Sequence, residues 1–269
     1  MAFNLVVQGP SLTETLAREL GAVERIADRA FRLRKIPVRD LSGWSEKHRI
    51  DHAWIPEGRR FADLKLVAMD MDSTLITMET IDELGDLVGK KPEIAAITAR
   101  AMRGEIDYPE SLRQRVSLLK GLPESGLLEI YETRLKLTPG ADALLAACKQ
   151  HGVRTLLVSG GFTFFVERLK TRLGIDYAIS NVLEITGGKL TGRVLGDIVD
   201  ADAKARKFLE VARAMPKEHT VAIGDGANDL KMMAEAGLSV AFHAKPVVRA
   251  QASCALSWSG LDGVLNLFE

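Results

Sequence analysis

The later part of the chain alternates short apolar runs with longer amphipathic segments. Four mostly apolar runs of strand length begin at residues 64, 153, 220 and 238, namely LKLVAMD, VRTLLVSGG, TVAIGDG and LSVAFHA. Helix-length segments lie between or after them, for example ADALLAACKQHG, FTFFVERLKTRLG, AKARKFLEVARAM and NDLKMMAEAG. Apolar strands that alternate with helices predict an α/β fold, in which a parallel sheet is covered by helices on both faces.

A long insertion separates the first two predicted strands. Residues 78–136 contain four amphipathic segments in series, which are ETIDELGDLVG, PEIAAITARAMRG, YPESLRQRVSLLKG and PESGLLEIYETRLK. This pattern predicts a helical cap over the edge of the sheet, carried by a core of residues 64–77 and 137–269. Further along, the glycine pairs of GGKLTGRVLG predict a β-hairpin.

Residues 1–63 have a different pattern and are predicted to form a small α+β unit. FNLVV at residues 3–7 predicts a strand, and SLTETLARELGAV predicts a helix in which Ser11 is the N-cap and Glu14 completes a capping box. FRLRKIPVRDL and HRIDHAWIP contain alternating apolar residues and predict extended segments. The polar stretch 56–63 contains a proline and a glycine, and it predicts the boundary between this unit and residues 64–269.

Composition narrows the class of protein. The 269 residues include 36 basic and 36 acidic side chains and are 46% hydrophobic. Nucleic-acid binders usually have a basic excess, and disordered chains have a high net charge with few apolar residues, so neither class is expected. The start of the chain does not resemble a signal peptide, and no window has the ~18 apolar residues of a membrane helix, which predicts a cytoplasmic protein that does not enter a membrane. Cys148 and Cys254 lack the spacing of a disulfide framework or a metal site.

Three of the predicted strands end in polar motifs. The first ends in DMDST from Asp70, the second in SGG from Ser159, and the third in GDGAND from Gly224. Because ligand sites of parallel sheets lie beyond the carboxyl ends of the strands, four carboxylates, a hydroxyl and several glycine amides are expected at one rim. Carboxylates that pack together repel one another and need a positive counter-charge. Oxygen ligands with little nitrogen or sulfur favour Mg²⁺ as that charge. Glycine amides at the starts of helices suit an anion. The rim therefore predicts phosphoryl transfer, with one aspartate as nucleophile and another acid as general acid and base.

Each motif taken alone has an ordinary structural explanation. An Asp-x-Asp at a strand end is often a turn or a helix cap, Ser-Gly is a common turn, and GDGAND is also compatible with a calcium-type loop. The catalytic interpretation depends on all three occurring in order, each at a strand end.

The motifs DMDSTL, VSGG and GDGANDLKMM resemble those of the haloacid-dehalogenase-like (HAD) phosphatase superfamily. Within it, METIDELGDLVG, YPESLRQRVSLLKGLP, VSGGF and DIVDADAKA resemble the phosphoserine phosphatase family, over about residues 65–269. The resemblance implies a Rossmann-like HAD core with a helical cap after the first core strand. It also implies Mg²⁺-dependent hydrolysis of O-phospho-L-serine to L-serine and phosphate through an aspartyl-phosphate, the last step of serine biosynthesis. The alternative is a related HAD small-metabolite phosphatase, or a phosphotransferase to an acceptor such as homoserine.

The resemblance implies catalytic and metal-binding roles for the acids. Asp70 would be the nucleophile and a metal ligand. Asp72 would be the general acid and base, and its backbone carbonyl would also ligate Mg²⁺. Asp225 would be the remaining protein ligand, with Asp229 close behind it.

The resemblance also implies a phosphate site. Ser159 and the Gly160 amide would hold phosphate oxygens, and Asn228 would contact the transferring phosphate or the surroundings of the metal. Lys204 would neutralise the phosphoryl group and brace Asp70. From spacing alone, Lys204 in AKARK is instead an ordinary residue of a solvated helix face.

Residues of the cap are implied to select the substrate. Arg115 would hold the substrate carboxylate and Glu79 would lie near its ammonium group, while Met102 and Tyr108 would close over the ligand. From spacing alone, Arg115 is an exposed helix charge, and Glu79 is a first-turn acid that complements the helix dipole.

The role of the first 63 residues and the assembly state have several interpretations. A homodimer is compatible with the sequence, and the small unit could dimerise the chain or bind a regulatory ligand. Longer members of the family carry amino-acid-binding domains at this position. About sixty residues look too few for a complete βαββαβ module, so serine sensing by this unit is not expected.

Overall fold

The N-terminal part of the chain forms a four-stranded antiparallel sheet. In a computed structural model, which describes residues 2–269, its elements are β1 (Phe3–Gln8), α1 (Glu14–Arg18), β2 (Glu24–Ala27), β3 (Ala30–Leu33), α2 (Ser42–His48) and β4 (Asp51–Pro56). The strands lie in the order β2-β3-β1-β4, which is a complete βαββαβ arrangement. The expectation that this unit is too short for such a module was therefore wrong. The module fits because its helices have only 5 and 7 residues.

The predicted cap of the first helix was also wrong. The N-cap is Thr13, whose side chain accepts a hydrogen bond from the Leu16 N–H at 3.2 Å. Ser11 lies in an exposed turn before the helix, and Glu14 pairs with Arg18 at 2.6 Å instead of completing a capping box. The chain first turns at residues 10–11, which buries Leu12. The helix therefore starts two residues later than predicted.

The two predicted extended segments are only partly strands. HRIDHAWIP begins with the end of α2 and a left-handed Arg49 at φ 55°, so the strand starts at Asp51. FRLRKIPVRDL leaves β3 after Leu33, and Lys35 has a positive φ of 53° that ends the extended run. The alternation of apolar residues identified the strands but not their ends.

A seven-stranded sheet carries the rest of the fold and confirms the α/β class. Its strands are β5 (Leu66–Met69), β6 (Arg154–Phe162), β7 (Tyr177–Thr186), β8 (Lys189–Leu195), β9 (Thr220–Gly224), β10 (Leu238–Phe242) and β11 (Cys254–Leu256). Their order is β11-β10-β9-β5-β6-β7-β8, and every neighbouring pair is parallel except β7 and β8. β7 and β8 form the predicted hairpin, because Gly187 and Gly188 adopt positive φ angles between them.

Helices follow the strands as the pattern predicted. The insertion after β5 contains α3 (Thr80–Leu87), α4 (Lys91–Met102), α5 (Tyr108–Ser117) and α6 (Glu124–Glu129), and the last continues into a wider turn at Ile130–Arg134. The helices around the sheet are α7 (Ala141–His151), α8 (Thr163–Leu173), α9 (Ala201–Ala212), α10 (Leu230–Glu235) and the short α11 (Pro246–Arg249). The helical insertion after the first core strand is thus confirmed. Among residues 2–269, no helix combines the length and the apolar character that crossing a membrane requires.

The small sheet packs on the large one through one of its faces. Val6, Ala53 and Ile55 belong to the same buried cluster as the strands of the large sheet. The alternate residues Leu5 and Val7 point to the opposite face, where they form a separate small core.

The buried carboxylate of Asp51 joins the two sheets at this contact. It accepts hydrogen bonds from the backbone N–H groups of Ser257, Trp258 and Ser259, just after β11. The two sheets are therefore held by polar as well as apolar contacts.

Candidate active site

The three polar motifs meet at one edge of the large sheet. β9, β5 and β6 are neighbours in that order, so residues after their carboxyl ends share a rim. A cavity of about 430 Å³ lies between this rim and the helical insertion. Its walls include most of the predicted site residues: Asp70, Asp72, Glu79, Met102, Tyr108, Arg115, Gly160, Asp225 and Asn228. Ser159, Lys204 and Asp229 lie beneath this surface, and all three are buried.

A tight turn after β5 brings Asp70 and Asp72 to the same cavity. The Leu75 N–H donates to the Asp70 carbonyl at 3.3 Å, and Ser73 adopts φ 56°, a left-handed conformation that is uncommon for a residue with a side chain. Such strained positions are found mainly at functional sites, where the surrounding structure holds them. Here the turn carries Asp72, which lines the cavity together with Asp70.

Two contacts hold the Asp70 carboxylate in place. Its Oδ1 accepts from the Met71 N–H at 2.7 Å and lies 2.9 Å from the Lys204 ammonium. Both contacts use the same oxygen, which leaves Oδ2 free to face a substrate. Burial, and then the charge of Asp229, raise the pKa of Asp70 well above its usual value, while Lys204 opposes the shift.

Lys204 is a buried cation between two acids, not part of a solvated helix face. Its ammonium lies 2.8 Å from Asp229 Oδ1 as well as 2.9 Å from Asp70 Oδ1. Burial by itself would lower the pKa of Lys204, but Asp229 and Asp70 outweigh it and the pKa is raised. The side chain is therefore a permanent positive charge at the base of the site.

Asp72 is arranged to hold a proton. Its Oδ1 accepts from the Thr80 N–H at 2.8 Å, which satisfies one of the free N–H groups at the start of α3. Burial, and then the negative charge of Glu79, raise the pKa of Asp72 to about 7. A carboxyl group with this pKa can both donate and accept a proton near neutral pH.

The remaining acids form a group that fits a divalent cation. Carboxylate oxygens of Asp70, Asp225 and Asp229 all lie within 4.8 Å of one another. Burial, then Asp229 and Glu79, raise the pKa of Asp225 to about 7. Carboxylates that cluster in this way ionise more readily next to a cation, and a set of hard oxygen donors suits Mg²⁺. Asp229 contributes an oxygen to this group, and its Oδ1 also lies 2.8 Å from the Lys204 ammonium.

The Ser-Gly-Gly turn near the end of β6 is closely packed and leaves one hydroxyl proton unused. The Ser159 Oγ accepts from the Gly161 N–H at 2.8 Å, so its own proton is available to a second acceptor. A Cβ on Gly161 would lie 2.6 Å from Asp72 Oδ2, and a Cβ on Gly160 would collide with the Tyr108 hydroxyl. A side chain at either position would therefore displace a neighbouring group of the site.

Cap residues of α5 cover this turn. The Tyr108 hydroxyl donates to the Gly160 carbonyl at 3.2 Å, and burial raises the pKa of Tyr108 to about 12, so the group stays a donor. The Arg115 guanidinium lies 6.0 Å from the centre of the Tyr108 ring, and its Nε donates to the Ser111 carbonyl at 3.3 Å. The Tyr108 ring and the Ser111 carbonyl thus orient Arg115 along the cavity wall.

Two further cap residues lie at the mouth of the cavity. The Glu79 Oε1 accepts from the Ser73 hydroxyl at 2.7 Å, which ties the start of the cap to the turn after β5. Met102 lines the opening of the cavity at the end of α4 and is 67% exposed. The resemblance implied that Met102 closes over the ligand, and in this structure it leaves the opening uncovered.

The sequence analysis missed two residues that line the cavity, Lys245 and Thr80. Lys245 lines the cavity after β10, and its charge works against the upward shift of the pKa of Asp225. Its position just beyond a strand end is a signal that could have found it. Thr80 supplies the N–H that holds Asp72, and only the path of the chain from β5 to α3 shows this.

Comparison with known proteins identifies the class. A family profile described as haloacid dehalogenase-like hydrolase matches residues 67–234, and a second with the same description matches residues 201–268. A HAD-family hydrolase of Salmonella enterica serovar Typhi has a similar solved structure, with a TM-score of 0.91 at 31% identity over 99% of both chains. The fold and the rim thus define a hydrolase of the haloacid dehalogenase-like class.

The similarity extends to one family within that class. A phosphoserine phosphatase of Polaromonas sp. is 56% identical over 218 residues, which cover 78% of this chain and 92% of the relative. The crystal structure of a probable phosphoserine phosphatase from Vibrio cholerae has a TM-score of 0.83 at 40% identity, over 99% of this chain and 86% of that one. The chain belongs to the phosphoserine phosphatase family of haloacid dehalogenase-like hydrolases.

Proposed function

We propose that this chain hydrolyses O-phospho-L-serine to L-serine and phosphate through an aspartyl-phosphate on Asp70. One observation carries the proposal. Asp70, a buried carboxylate paired with Lys204, and Asp72, a carboxyl group that can hold a proton, share one cavity with Arg115 and Glu79. The first pair provides phosphoryl transfer, and the second pair matches the carboxylate and ammonium groups of an amino acid. The product would make the reaction the last step of serine biosynthesis.

The metal would be Mg²⁺. Asp70, Asp225 and the backbone carbonyl of Asp72 would hold it, with Asp229 behind them. The ion would supply the positive charge that keeps the carboxylates ionised and offsets the negative charge of the phosphoryl oxygens.

The chemistry at Asp70 follows from which oxygen is free. Oδ2 attacks phosphorus, and the bond from phosphorus to the seryl oxygen breaks. Asp72 donates a proton to that oxygen, and serine leaves. A water molecule then attacks the same phosphorus and gives a proton to Asp72, and the bond from phosphorus to Asp70 Oδ2 breaks. Phosphate forms, Asp70 is a carboxylate again and Asp72 is again protonated.

The rest of the site binds and orients the substrate. The Ser159 hydroxyl, the Gly160 N–H, Asn228 and the Lys204 ammonium would hold or neutralise the phosphoryl oxygens. Arg115 would bind the substrate carboxylate, and Glu79, through the oxygen that Ser73 leaves free, would bind the ammonium group. Tyr108 would exclude water from above, and Met102 would cover the mouth when the cap closes.

The experiment is phosphate release from phosphoserine, phosphothreonine and p-nitrophenyl phosphate, with and without Mg²⁺. We expect Mg²⁺-dependent release that is fastest from phosphoserine. Asp70→Asn should abolish turnover with an unchanged circular dichroism spectrum, and the exposed Asp142→Asn is the matched control. Appreciable turnover by Asp70→Asn would reject the nucleophile, and transfer of phosphate to homoserine in place of release would favour the phosphotransferase.

The other expectations from sequence become proposals of the same kind. We propose a division into residues 1–63 and 64–269, with the cap at residues 78–136. Met1 lies outside the described residues. A cytoplasmic location and a homodimer stay predictions, and size-exclusion chromatography with light scattering tests the latter.

A further inference from the structure

Asn181 occupies an irregular part of the sheet beside the Ser-Gly-Gly turn at residues 159–161, which we call the phosphate turn. β6 and β7 pair regularly up to Val158 and Ile179, and pairing resumes only at Phe162 and Asn181. Residues 159–161 of β6 therefore stand opposite Ser180 alone, which is the geometry of a bulge. The bulge directs the phosphate turn into the cavity, but it also removes backbone partners from that turn.

The side chain of Asn181 replaces the missing partners. It is 1% exposed, and its Nδ2 donates to the Gly160 carbonyl at 2.8 Å. Its Oδ1 accepts from the Val199 N–H, also at 2.8 Å. The two partners fix the orientation of the amide, because a backbone carbonyl can only accept and an N–H can only donate.

The second of these bonds leads to the buried lysine. Val199 precedes Asp200, whose side chain caps α9 by accepting from the Ala203 N–H at 2.8 Å. The Lys204 N–H donates to the Asp200 carbonyl at 2.9 Å, which makes it part of the first turn of α9. An anchor at Val199 therefore fixes where α9 starts and where the Lys204 side chain enters the site.

We propose that Asn181 is a positioning residue, which sets the phosphate turn and Lys204 in register with each other. It touches neither substrate nor metal, and it acts through Gly160 on one side and Val199 on the other. The inference deepens the proposed function and rests on it, because both groups it positions would bind the transferring phosphoryl group. Without Asn181, the Gly160 carbonyl would keep only the 3.2 Å bond from the Tyr108 hydroxyl of the cap, and the side chain that joins the Gly160 peptide to the start of α9 would be lost.

The test compares Asn181→Leu and Asn181→Ala with a matched control, Asn4→Leu. Asn4 is 2% exposed and also uses both ends of its amide, donating to Glu269 at 3.0 Å and accepting from the Lys35 N–H at 3.2 Å. It lies in the small N-terminal sheet, so its loss should lower stability without affecting the phosphate site. The measurements are kcat and KM for phosphoserine and p-nitrophenyl phosphate, the melting temperature, and calorimetric binding of orthovanadate with Mg²⁺.

We expect kcat of the Asn181 variants to fall about 10- to 100-fold on both substrates, because small displacements of binding groups have effects of this size. The Kd of orthovanadate, which mimics the transferring phosphoryl group, should rise by a similar factor, and KM should change much less. Asn4→Leu should keep wild-type kcat and vanadate affinity. Equal melting-temperature losses in both positions, with unchanged kcat and vanadate binding, overturn the proposal.

The readouts separate this inference from the proposed function. A wild-type protein that hydrolyses p-nitrophenyl phosphate but not phosphoserine refutes the substrate, and the Asn181 comparison is then made on the aryl ester. Vanadate binding needs no turnover, so it decides the positioning role in every case. If the leucine variant fails to fold, the smaller alanine variant supplies the same comparison.

Discussion

Replacing Lys204 by methionine tests how the base of the site is held together. Methionine keeps a long side chain of similar length but removes the charge. In the wild type the ammonium lies 2.9 Å from Asp70 and 2.8 Å from Asp229, and its side chain is 1% exposed. Lys204→Met therefore leaves two buried carboxylates facing each other without their shared cation.

The expected loss follows from the geometry. At an effective dielectric constant of about 20, each of these contacts contributes about 6 kcal/mol of attraction. This attraction offsets a desolvation cost of several kcal/mol for each ion, so the pairs add little net stability. Removing the cation alone eliminates the attraction but not the cost for the acids. We expect the free energy of unfolding to fall by about 3–5 kcal/mol.

The assay is urea unfolding of the metal-free protein, followed by tryptophan fluorescence. Lys207→Met is the control on the same helix, because Lys207 pairs at 2.8 Å with Glu210, whose side chain is 68% exposed. Surface pairs of this kind contribute at most about 1 kcal/mol. Adding Asp229→Asn to Lys204→Met removes one unpaired charge and should recover about 1–2 kcal/mol. A loss no larger than that of Lys207→Met, or strict additivity in the double variant, would refute the reasoning.

Three further predictions concern the substrate, the phosphate turn and the contact between the sheets. Arg115→Ala should reduce kcat/KM for phosphoserine about 10- to 100-fold more than for p-nitrophenyl phosphate, and equal losses would reject its carboxylate role. Gly161→Ala should lower kcat on both substrates, since the new methyl would lie 2.6 Å from Asp72 Oδ2; wild-type kcat would show that the turn can yield. Burial lowers the pKa of His52 below its usual value of 6.5, because the folded protein favours the neutral imidazole. The contribution of His52 to the free energy of unfolding is therefore complete above pH 6.5 and is lost as the pH falls through the lowered pKa. The melting temperature should therefore fall more steeply below pH 6.5 in the wild type than in His52→Gln, with His151→Gln as an exposed control; parallel curves would contradict this.

The order of elements in the sheet domain was predictable because its signals are local. Runs such as LKLVAMD and TVAIGDG bury both faces of a strand, so they stand out from the amphipathic helices between them. In the first 63 residues the short strands β2 and β3 each contain charged residues, which weakens their apolar pattern. There the pattern located β1, β3 and β4 but missed the short β2 and the helix α2, and it misjudged the module as incomplete.

The candidate site divides in the same way. Asp70, Asp72 and Asp225 come shortly after strand ends, and Ser159 lies where the regular pairing of β6 stops, so their convergence could be inferred from the rule for parallel sheets. Lys204 could not be placed on these grounds, because its surroundings in sequence are those of a solvated helix. Its burial depends on how α9 packs against the turn that carries Asp229, more than twenty residues further along the chain.

The sequence by itself determined which elements form and which chemistry is brought to the rim, because apolar periodicity and strand-end motifs act over a few residues. The tertiary structure decided which charges are buried, which oxygen of Asp70 is left free and which side chains support the turn. Asn181 shows the difference most clearly, since nothing near it in sequence marks it, and its partners Gly160 and Val199 are 21 and 18 residues away. Such contacts depend on how strands and helices pack, and packing joins residues that local patterns treat as independent.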